Sequence, residues 1–307
     1  MNSLERTGIG TVQFGMEYGI SNTTGRTPDD EIVAILEDAR RDGVRYIDTA
    51  SLYGDAEETL GRLLPPESDF RIVTKLGNFT SGSDRSFERT AIEKFDASLS
   101  KMRRESIYAL LAHSAADLLA PQGERLWTVF QQLKQQGKVR KIGASVYSTE
   151  EAERLSERYP MDLVQLPLNL LDQRMLKSGL LHEMHTRGIE IHSRSCFLQG
   201  LLLMNPETLD AFFDPVKERL LELRGACFER GITPLEAALS FVLSVGEVDC
   251  IILGVNSSAQ FGEIRAAVLR CNQGEQLDFS RFAVDAPEIV EPKNWPRRGG
   301  EKSGSRT

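Results

Sequence analysis

Eight short apolar runs punctuate the chain: Ile9–Phe14, Arg45–Thr49, Arg71–Leu76, Ile107–Ala112, Lys141–Val146, Leu163–Leu168, Glu190–Ser195 and Cys250–Leu253. Each is four to six residues long and rich in Ile, Val and Leu, as expected of strands buried on both faces of a parallel sheet. The segments between them carry helical periodicity. In TPDDEIVAILEDARRDG, Thr27 is placed to cap, Pro28 to open the first turn, and Ile32, Ile35, Leu36 and Ala39 to form one apolar face before Gly43. ERLWTVFQQLKQQG repeats that face with Leu126, Val129, Phe130 and Leu133, and ends at Gly137. In YSTEEAERL, Ser148 and Glu151 have capping-box spacing. Further helices are predicted over Asp55–Leu64, Phe87–Lys101, Met175–Arg187, Glu207–Arg230, Pro234–Val245 and Ser258–Arg270. Eight strands, each followed by a helix, predict an α/β fold of the (β/α)8 TIM-barrel type. No Gly-, Pro- or Ser-rich linker interrupts the rhythm, so a single barrel domain is expected over residues 1–295. The closing stretch 296–307, PRRGGEKSGSRT, is poor in apolar residues and reads as a disordered tail.

Composition narrows the class. The 307 residues are 40% hydrophobic and carry a net charge of −8, with no long basic block. This argues against a nucleic-acid partner. Arg40-Arg41 and Arg103-Arg104 read as solvated positions on amphipathic helices. Cys196, Cys227, Cys250 and Cys271 form no CxxC pair and suit reduced, buried thiols. The N-terminus MNSLERTGIG lacks an apolar signal core, and no apolar run approaches the ~20 residues of a membrane span. A cytoplasmic location is expected.

Candidate chemistry lies at the strand ends, since such barrels collect their active sites at the C-terminal face. The second run, in YIDTASLYG, ends on Asp48, with Tyr53 in the loop beyond. The third carries Lys75, and the fourth ends at His113. Singly, each has an ordinary alternative: a helix cap, a snorkelling lysine, a hydrogen-bonded core histidine. Together, on successive strand ends, they fit one reaction. Hydride transfer to a carbonyl builds negative charge on oxygen, and a proton must arrive there. Tyr53 can deliver it, but a free phenol has a pKa near 10. An ammonium at Lys75 is expected to lower that value, Asp48 to hold Lys75 in place, and His113 to orient the carbonyl.

The ordered set Asp48-Thr49-Ala50, Tyr53-Gly54, Thr74-Lys75 and His113-Ser114 resembles the catalytic tetrad of the aldo-keto reductase superfamily, and the resemblance runs from about Thr7 to Arg270. It implies a (β/α)8 barrel, an extended nicotinamide cofactor (NADP or NAD, without a metal), and Tyr53 as general acid/base. It also places Gly10, Thr11, Val12 and Asp48 beside that cofactor. IHSRSCFLQGLLLM is similar to reductases from bacterial surface-polysaccharide gene clusters. In KIGASVYS, the resemblance assigns Ser145 to the nicotinamide carboxamide, with Val146 in place of the usual Asn. It assigns Gln165, in LVQLPLN, to the same amide. In SRSCFLQGLL, it assigns Ser195, Leu198 and Gly200 to the pyrophosphate, and Arg194 stands where an aromatic often stacks on the nicotinamide; a guanidinium plane can stack too.

LGVNSSAQFGEIRAA resembles the loop and helix that hold the adenosine phosphate. There the family usually carries Lys or Arg to clamp the 2′-phosphate of NADP, whereas this chain has Gly254, Asn256 and Gln260. Ile264 replaces a usual Asn, while Glu263 matches. The helix N-terminus near Ser257 and Ser258 can still receive a phosphate, and Arg265 is the nearest cation in sequence. These departures weaken the expected preference for NADP and admit NAD.

Competing fingerprints fail. Gly8-Ile9-Gly10 is not continued as GxGxxG, and His182-Glu183-Met184-His185 is one residue short of HExxH. His192, inside the seventh run, reads as a locally hydrogen-bonded residue. Two other functions fit less of the set. A regulatory barrel that binds nucleotide but turns over little would accommodate Val146 and Ile264. A Schiff-base aldolase would use Lys75 and leave Tyr53 and His113 idle. The expected partner is a small carbonyl or alcohol, a sugar-like aldehyde by the subfamily resemblance. Val12, Phe14, Met16, Tyr18, Phe279, Phe282 and Trp295 are candidates for its pocket.

Overall fold

The computed structural model describes residues 3–77, 79, 86–271 and 277–296. Its strands are β1 (Thr7–Gly10), β2 (Tyr46–Asp48), β3 (Arg71–Leu76), β4 (Ile107–Ala112), β5 (Val139–Ser145), β6 (Leu163–Pro167), β7 (Glu190–Arg194) and β8 (Cys250–Gly254). All pair in parallel with their sequence neighbours, and β8 pairs with β1 to close the barrel. The expected (β/α)8 architecture is therefore the observed one. The helices are α1 (Val12–Gly15), α2 (Asp29–Arg41), α3 (Ala56–Leu63), α4 (Phe87–Met102), α5 (Ala115–Leu119), α6 (Gly123–Gln135) and α7 (Thr149–Arg158). They continue as α8 (Arg174–Lys177), α9 (Leu180–Thr186), α10 (Asp214–Glu229), α11 (Pro234–Ser244), α12 (Ser258–Arg270) and α13 (Pro287–Val290). The tail expected over 296–307 lies, beyond residue 296, outside the described residues. Among those residues no helix is long and apolar enough to cross a membrane.

Most boundaries shift by a residue or two, and four differences have a visible cause. The first strand starts and stops earlier than Ile9–Phe14, because the Thr11 N–H and Oγ1 both donate to the Asp48 carbonyl at 3.0 Å and finish the ladder. The chain then coils into α1. Thr27 does not cap α2: its N–H donates to the Gln13 carbonyl at 2.9 Å, its Oγ1 has no partner, and Pro28 occupies the cap. The acids Asp29, Asp30 and Glu31 complement the dipole of that first turn instead. The helix expected over 175–187 breaks into α8 and α9 at Gly179, where φ is +79°. The one expected from Glu207 begins only at Asp214, with Pro215 in its first turn, where a proline's missing N–H costs nothing. The capping box of Ser148 and Glu151 forms as expected. Arg103 leaves α4 in a left-handed conformation, so Arg103-Arg104 ends that helix instead of riding on its face.

Packing follows the two faces of each strand. In β4, Ala109 and Leu111 join Val73 and Leu163 inside the barrel, while Leu110 packs outward with the strand–helix layer. At the N-terminal end the barrel is closed by polar chemistry. Glu190 accepts from Tyr108 at 2.6 Å and lies 2.7 Å from His192 Nε2, and it pairs with Lys141. Arg71 donates to the Tyr46 hydroxyl at 2.9 Å and stacks on both Tyr46 and Tyr108. Burial pushes the Glu190 carboxyl up, but its bonds from His192, Lys141 and Tyr108 outweigh this and hold it at about 2. At the other end, α1 meets the turn after β2 with no room for side chains. A Cβ on Gly15 would lie 1.9 Å from the Tyr53 carbonyl, and one on Gly54, at φ +54°, 2.4 Å from the Gly15 carbonyl.

Two outcomes follow from these contacts. Gly15→Ala must push the Tyr53 turn away and is expected to destabilise the protein by about 1–3 kcal/mol, read from the denaturant midpoint. Glu190 titrates below its ordinary value of 4.5, so its contribution is complete above that pH and is lost as pH falls towards about 2. Wild-type melting temperature should therefore fall more steeply across that interval than that of Glu190→Gln, and parallel slopes would show that the cluster contributes no acid sensitivity.

Candidate active site

The C-terminal ends of the strands bring the expected ionisable groups together. Asp48 is the last residue of β2, Lys75 lies one residue from the end of β3, and His113 follows β4. Lys75 Nζ donates to Asp48 Oδ2 at 2.6 Å and to the Thr49 carbonyl at 3.0 Å, and stands 3.4 Å from the Tyr53 hydroxyl. The Lys75 side chain is only 1% exposed. Asp48 Oδ1 accepts from Gln165 Nε2 at 2.6 Å, so both carboxylate oxygens are committed. The His113 ring meets the Tyr53 ring edge-on, 5.6 Å between centroids.

The backbone sets these positions. Ser51 donates to the Lys75 carbonyl from its N–H at 3.0 Å and from its Oγ at 3.1 Å, which folds the chain after β2 back over β3. The Tyr53 N–H bonds the Ala50 carbonyl at 3.1 Å, and the Ala56 N–H the Tyr53 carbonyl at 3.0 Å. Tyr53 is thus held in a tight turn directly before α3.

The electrostatics correct one expectation. Lys75 was expected to lower the Tyr53 pKa, yet burial, followed by the charge of Asp48, pushes it up. The ammonium faces a carboxylate 2.6 Å away, so what reaches the phenol is nearly a neutral pair, while desolvation acts in full. Burial also lowers Lys75 from its ordinary value, opposed by the charge and hydrogen bond of Asp48. Burial, with Lys75 and Arg194, pushes His113 down to about 3, so its ring is neutral near pH 7.

One continuous cleft runs from this cluster to the loop after β8. Of the residues assigned by resemblance, Gly10, Thr11, Val12, Asp48, Ser145, Arg194, Ser195, Gly200, Gly254, Asn256, Gln260 and Glu263 line it, with Tyr53 and His113. Lys75 and Gln165 lie beneath its floor, bonded to Asp48. Leu198 is not on the wall: its side chain is fully buried in the core and its N–H donates to the Ser195 carbonyl at 2.8 Å. Val146 is likewise buried in the core, and the neighbouring Tyr147 faces the cleft. Arg194 stacks its guanidinium on the Tyr147 ring at 4.1 Å and donates to the Val146 carbonyl at 3.1 Å. Lys293 approaches the same ring at 4.6 Å. Glu291, 3.0 Å from Lys293, pairs with Arg174, which also grips Asp172, and this ties the C-terminal segment beside the cleft. Trp295 packs edge-on against Phe213, and Phe279, Phe282 and Phe14 are buried in the core, so none of them lines the cleft.

Sequence reasoning passed over Tyr147, Gln199, Gln13 and Asn22, all of which line the cleft. Tyr18, flagged only as a pocket candidate, accepts from Gln199 Nε2 at 3.1 Å. A hydroxyl-rich loop after β1 was the available signal for Tyr18. No sequence pattern distinguished Tyr147 from Val146.

The cleft also fits an extended polar guest. Buried acceptor or donor atoms without a protein partner are spaced along it, on His113 Nδ1, Gln13 Oε1 and Asn256 Oδ1, with Gln165 Oε1 beneath its floor. Beside it, Ser195, Leu198 and Gln199 take positive φ values of 62°, 48° and 52°, three of the four such non-glycine residues among those described. Strain of this kind concentrates at functional sites.

Known proteins resemble this chain over most of its length. The chain is 27% identical over 314 residues to an L-galactose dehydrogenase of Arabidopsis thaliana, covering 96% of this chain and 97% of that one. It is 26% identical over 269 residues to an L-glyceraldehyde 3-phosphate reductase of Escherichia coli, covering 75% and 76%. The fold superposes on the holo form of an aldo-keto reductase from Bacillus halodurans with a TM-score of 0.71 at 20% identity, covering 94% of this chain and 95% of that one. The family model described as "Aldo/keto reductase family" matches residues 6–277, and the chain accordingly belongs to the aldo/keto reductase family of carbonyl and alcohol oxidoreductases.

Proposed function

We propose that the protein interconverts an aldehyde or ketone and its alcohol with a nicotinamide nucleotide, using Tyr53 as general acid/base. The observation that carries this reading is the Tyr53–Lys75–Asp48 chain, with contacts of 3.4 and 2.6 Å, opening on the cleft beside a neutral His113. The spaced unpartnered atoms support a nucleotide along the cleft, with Ser145 and Gln165 at the nicotinamide amide, Ser195 and Gly200 at the pyrophosphate, and the loop after β8 at the adenosine. A nucleotide held there would supply the hydride that the carbonyl carbon receives.

The chain's own residues handle the oxygen and the proton. His113 donates a hydrogen bond to the carbonyl oxygen from its neutral ring, fixing the face presented. Tyr53 Oη gives its proton to that oxygen as charge develops. The phenolate left behind is stabilised by the Lys75 ammonium, which Asp48 and the Thr49 carbonyl hold in place. Raised by burial, Tyr53 starts protonated, the state that reduction requires. In the reverse direction the same group must first lose its proton. Arg194, stacked on Tyr147, offers a flat cation beside the reacting centre, and the sugar-related names of the relatives favour a polyhydroxylated substrate. The regulatory alternative draws no support from Val146, whose side chain does not reach the cleft.

Tyr53→Phe should keep nucleotide affinity within about threefold, by fluorescence titration, while lowering kcat for 4-nitrobenzaldehyde reduction by roughly 10²–10⁴. Retention of more than a tenth of wild-type turnover would dismiss Tyr53 as the acid. The pH dependence supplies a second check. With the phenol held above its ordinary value of 10, kcat for reduction should stay level from about pH 6 to 9, whereas kcat for alcohol oxidation should rise with pH over the same interval. A reduction rate that falls through neutral pH would assign the proton to another group.

A further inference from the structure

The far end of the cleft carries a feature that the strand-end chemistry does not use. The first turn of α12 is already occupied by a carboxylate: Glu31, from the first turn of α2, accepts from the Ser258 N–H at 2.6 Å. A second donor of the same turn is committed as well, since the Gln260 N–H donates to Ser257 Oγ at 3.2 Å. Gln260 turns its own Oε1 back to the Asn256 N–H at 2.9 Å. Arg265, the nearest cation in sequence, pairs with Asp42 at 3.3 Å, directly after α2. On the cleft wall here stand Gly254, Asn256, Gln260 and Glu263, none of them a cation.

We infer that Glu31 makes the adenosine end of the cleft reject a 2′-phosphate, so that the working nucleotide is the unphosphorylated NAD(H). The inference rests on the nucleotide reading proposed above and adds its selectivity. A phosphate seated on a helix N-terminus needs free N–H donors and a positive field. Here the Ser258 N–H is spent on Glu31, and the carboxylate places negative charge where the helix would otherwise attract an anion. A carboxylate behind this end of the cleft repels a phosphate through space, whereas an uncharged ribose 2′-hydroxyl feels no such repulsion; an acidic residue discriminates in the same sense in doubly wound nucleotide folds. The bond to Ser258 also lowers the Glu31 carboxyl, so the charge is present at neutral pH. Since Glu31 belongs to α2 and Ser258 to α12, the selectivity is built across two helices.

The test is equilibrium binding, independent of turnover. NADH and NADPH are titrated into the wild type and Glu31→Gln by protein fluorescence, with 5′-AMP and adenosine 2′,5′-bisphosphate as fragments that lack the nicotinamide. The amide of Gln can still accept from Ser258, so the variant removes charge while keeping the bond. The wild type should bind NADH at least roughly tenfold more tightly than NADPH, and 5′-AMP more tightly than the bisphosphate; added salt should narrow both gaps. Glu31→Gln should tighten NADPH by about five- to tenfold and leave NADH within about twofold. Equal or tighter binding of NADPH by the wild type, or an unchanged ratio in a folded Glu31→Gln, overturns the role of Glu31 while the nucleotide reading stands. Binding of neither nucleotide overturns both. If Glu31→Gln does not fold, the wild-type ratio, its salt dependence and the fragment pair decide the question.

Discussion

The buried ion pair between Lys75 and Asp48 is the constraint on which the site depends. An ammonium inside a protein is tolerated only beside an opposite charge and with its hydrogen bonds made. Asp48 Oδ2 and the Thr49 carbonyl provide both, and Gln165 engages the remaining carboxylate oxygen from across the barrel. This arrangement fixes three strand ends relative to one another. It also determines what Tyr53 experiences: a cation close enough to stabilise a phenolate as it forms, yet balanced enough that the resting phenol keeps its proton. A bare lysine would produce a different acid.

The barrel separates this chemistry from the closure of the fold. At one end the strands finish in a charged pair and an open cleft. At the other, Glu190, Tyr108, Lys141, His192 and Arg71 form a polar plug with aromatic walls. Between them lies a thin apolar layer that includes Val73, Ala109, Leu111 and Leu163. Loops after the strands can therefore differ without disturbing the plug, in keeping with a fold shared at 20% identity with the Bacillus halodurans structure.

Much of this was legible in the sequence. The eight apolar runs gave the strands, and the four chemical residues sat on consecutive strand ends because a parallel barrel aligns those ends. Boundaries were less readable where tertiary bonds override local preference. Thr11 ends β1 by bonding Asp48 from another strand, and Thr27 does not cap α2 because the helix starts one residue later, behind Pro28, out of register with its Oγ1. The direction of the Tyr53 shift was misread because residue spacing conveys proximity but not desolvation. Tyr147 was missed because which of two adjacent residues faces a cleft depends on how the chain leaves β5. Glu31 was invisible for a related reason: it meets Ser258 across 227 positions of sequence.

The Gly15–Gly54 contact has a further meaning for how the protein ages under heat. Tyr53 is placed largely by backbone touching backbone, with the Arg26 side chain, bonded to the Phe14 carbonyl and to Thr59 Oγ1, as a tie between the two segments. A few ångströms of loosening there would carry the phenol away from Lys75 while all eight strands remain paired. Thermal inactivation would then precede unfolding, and the protein would lose its chemistry as an intact barrel.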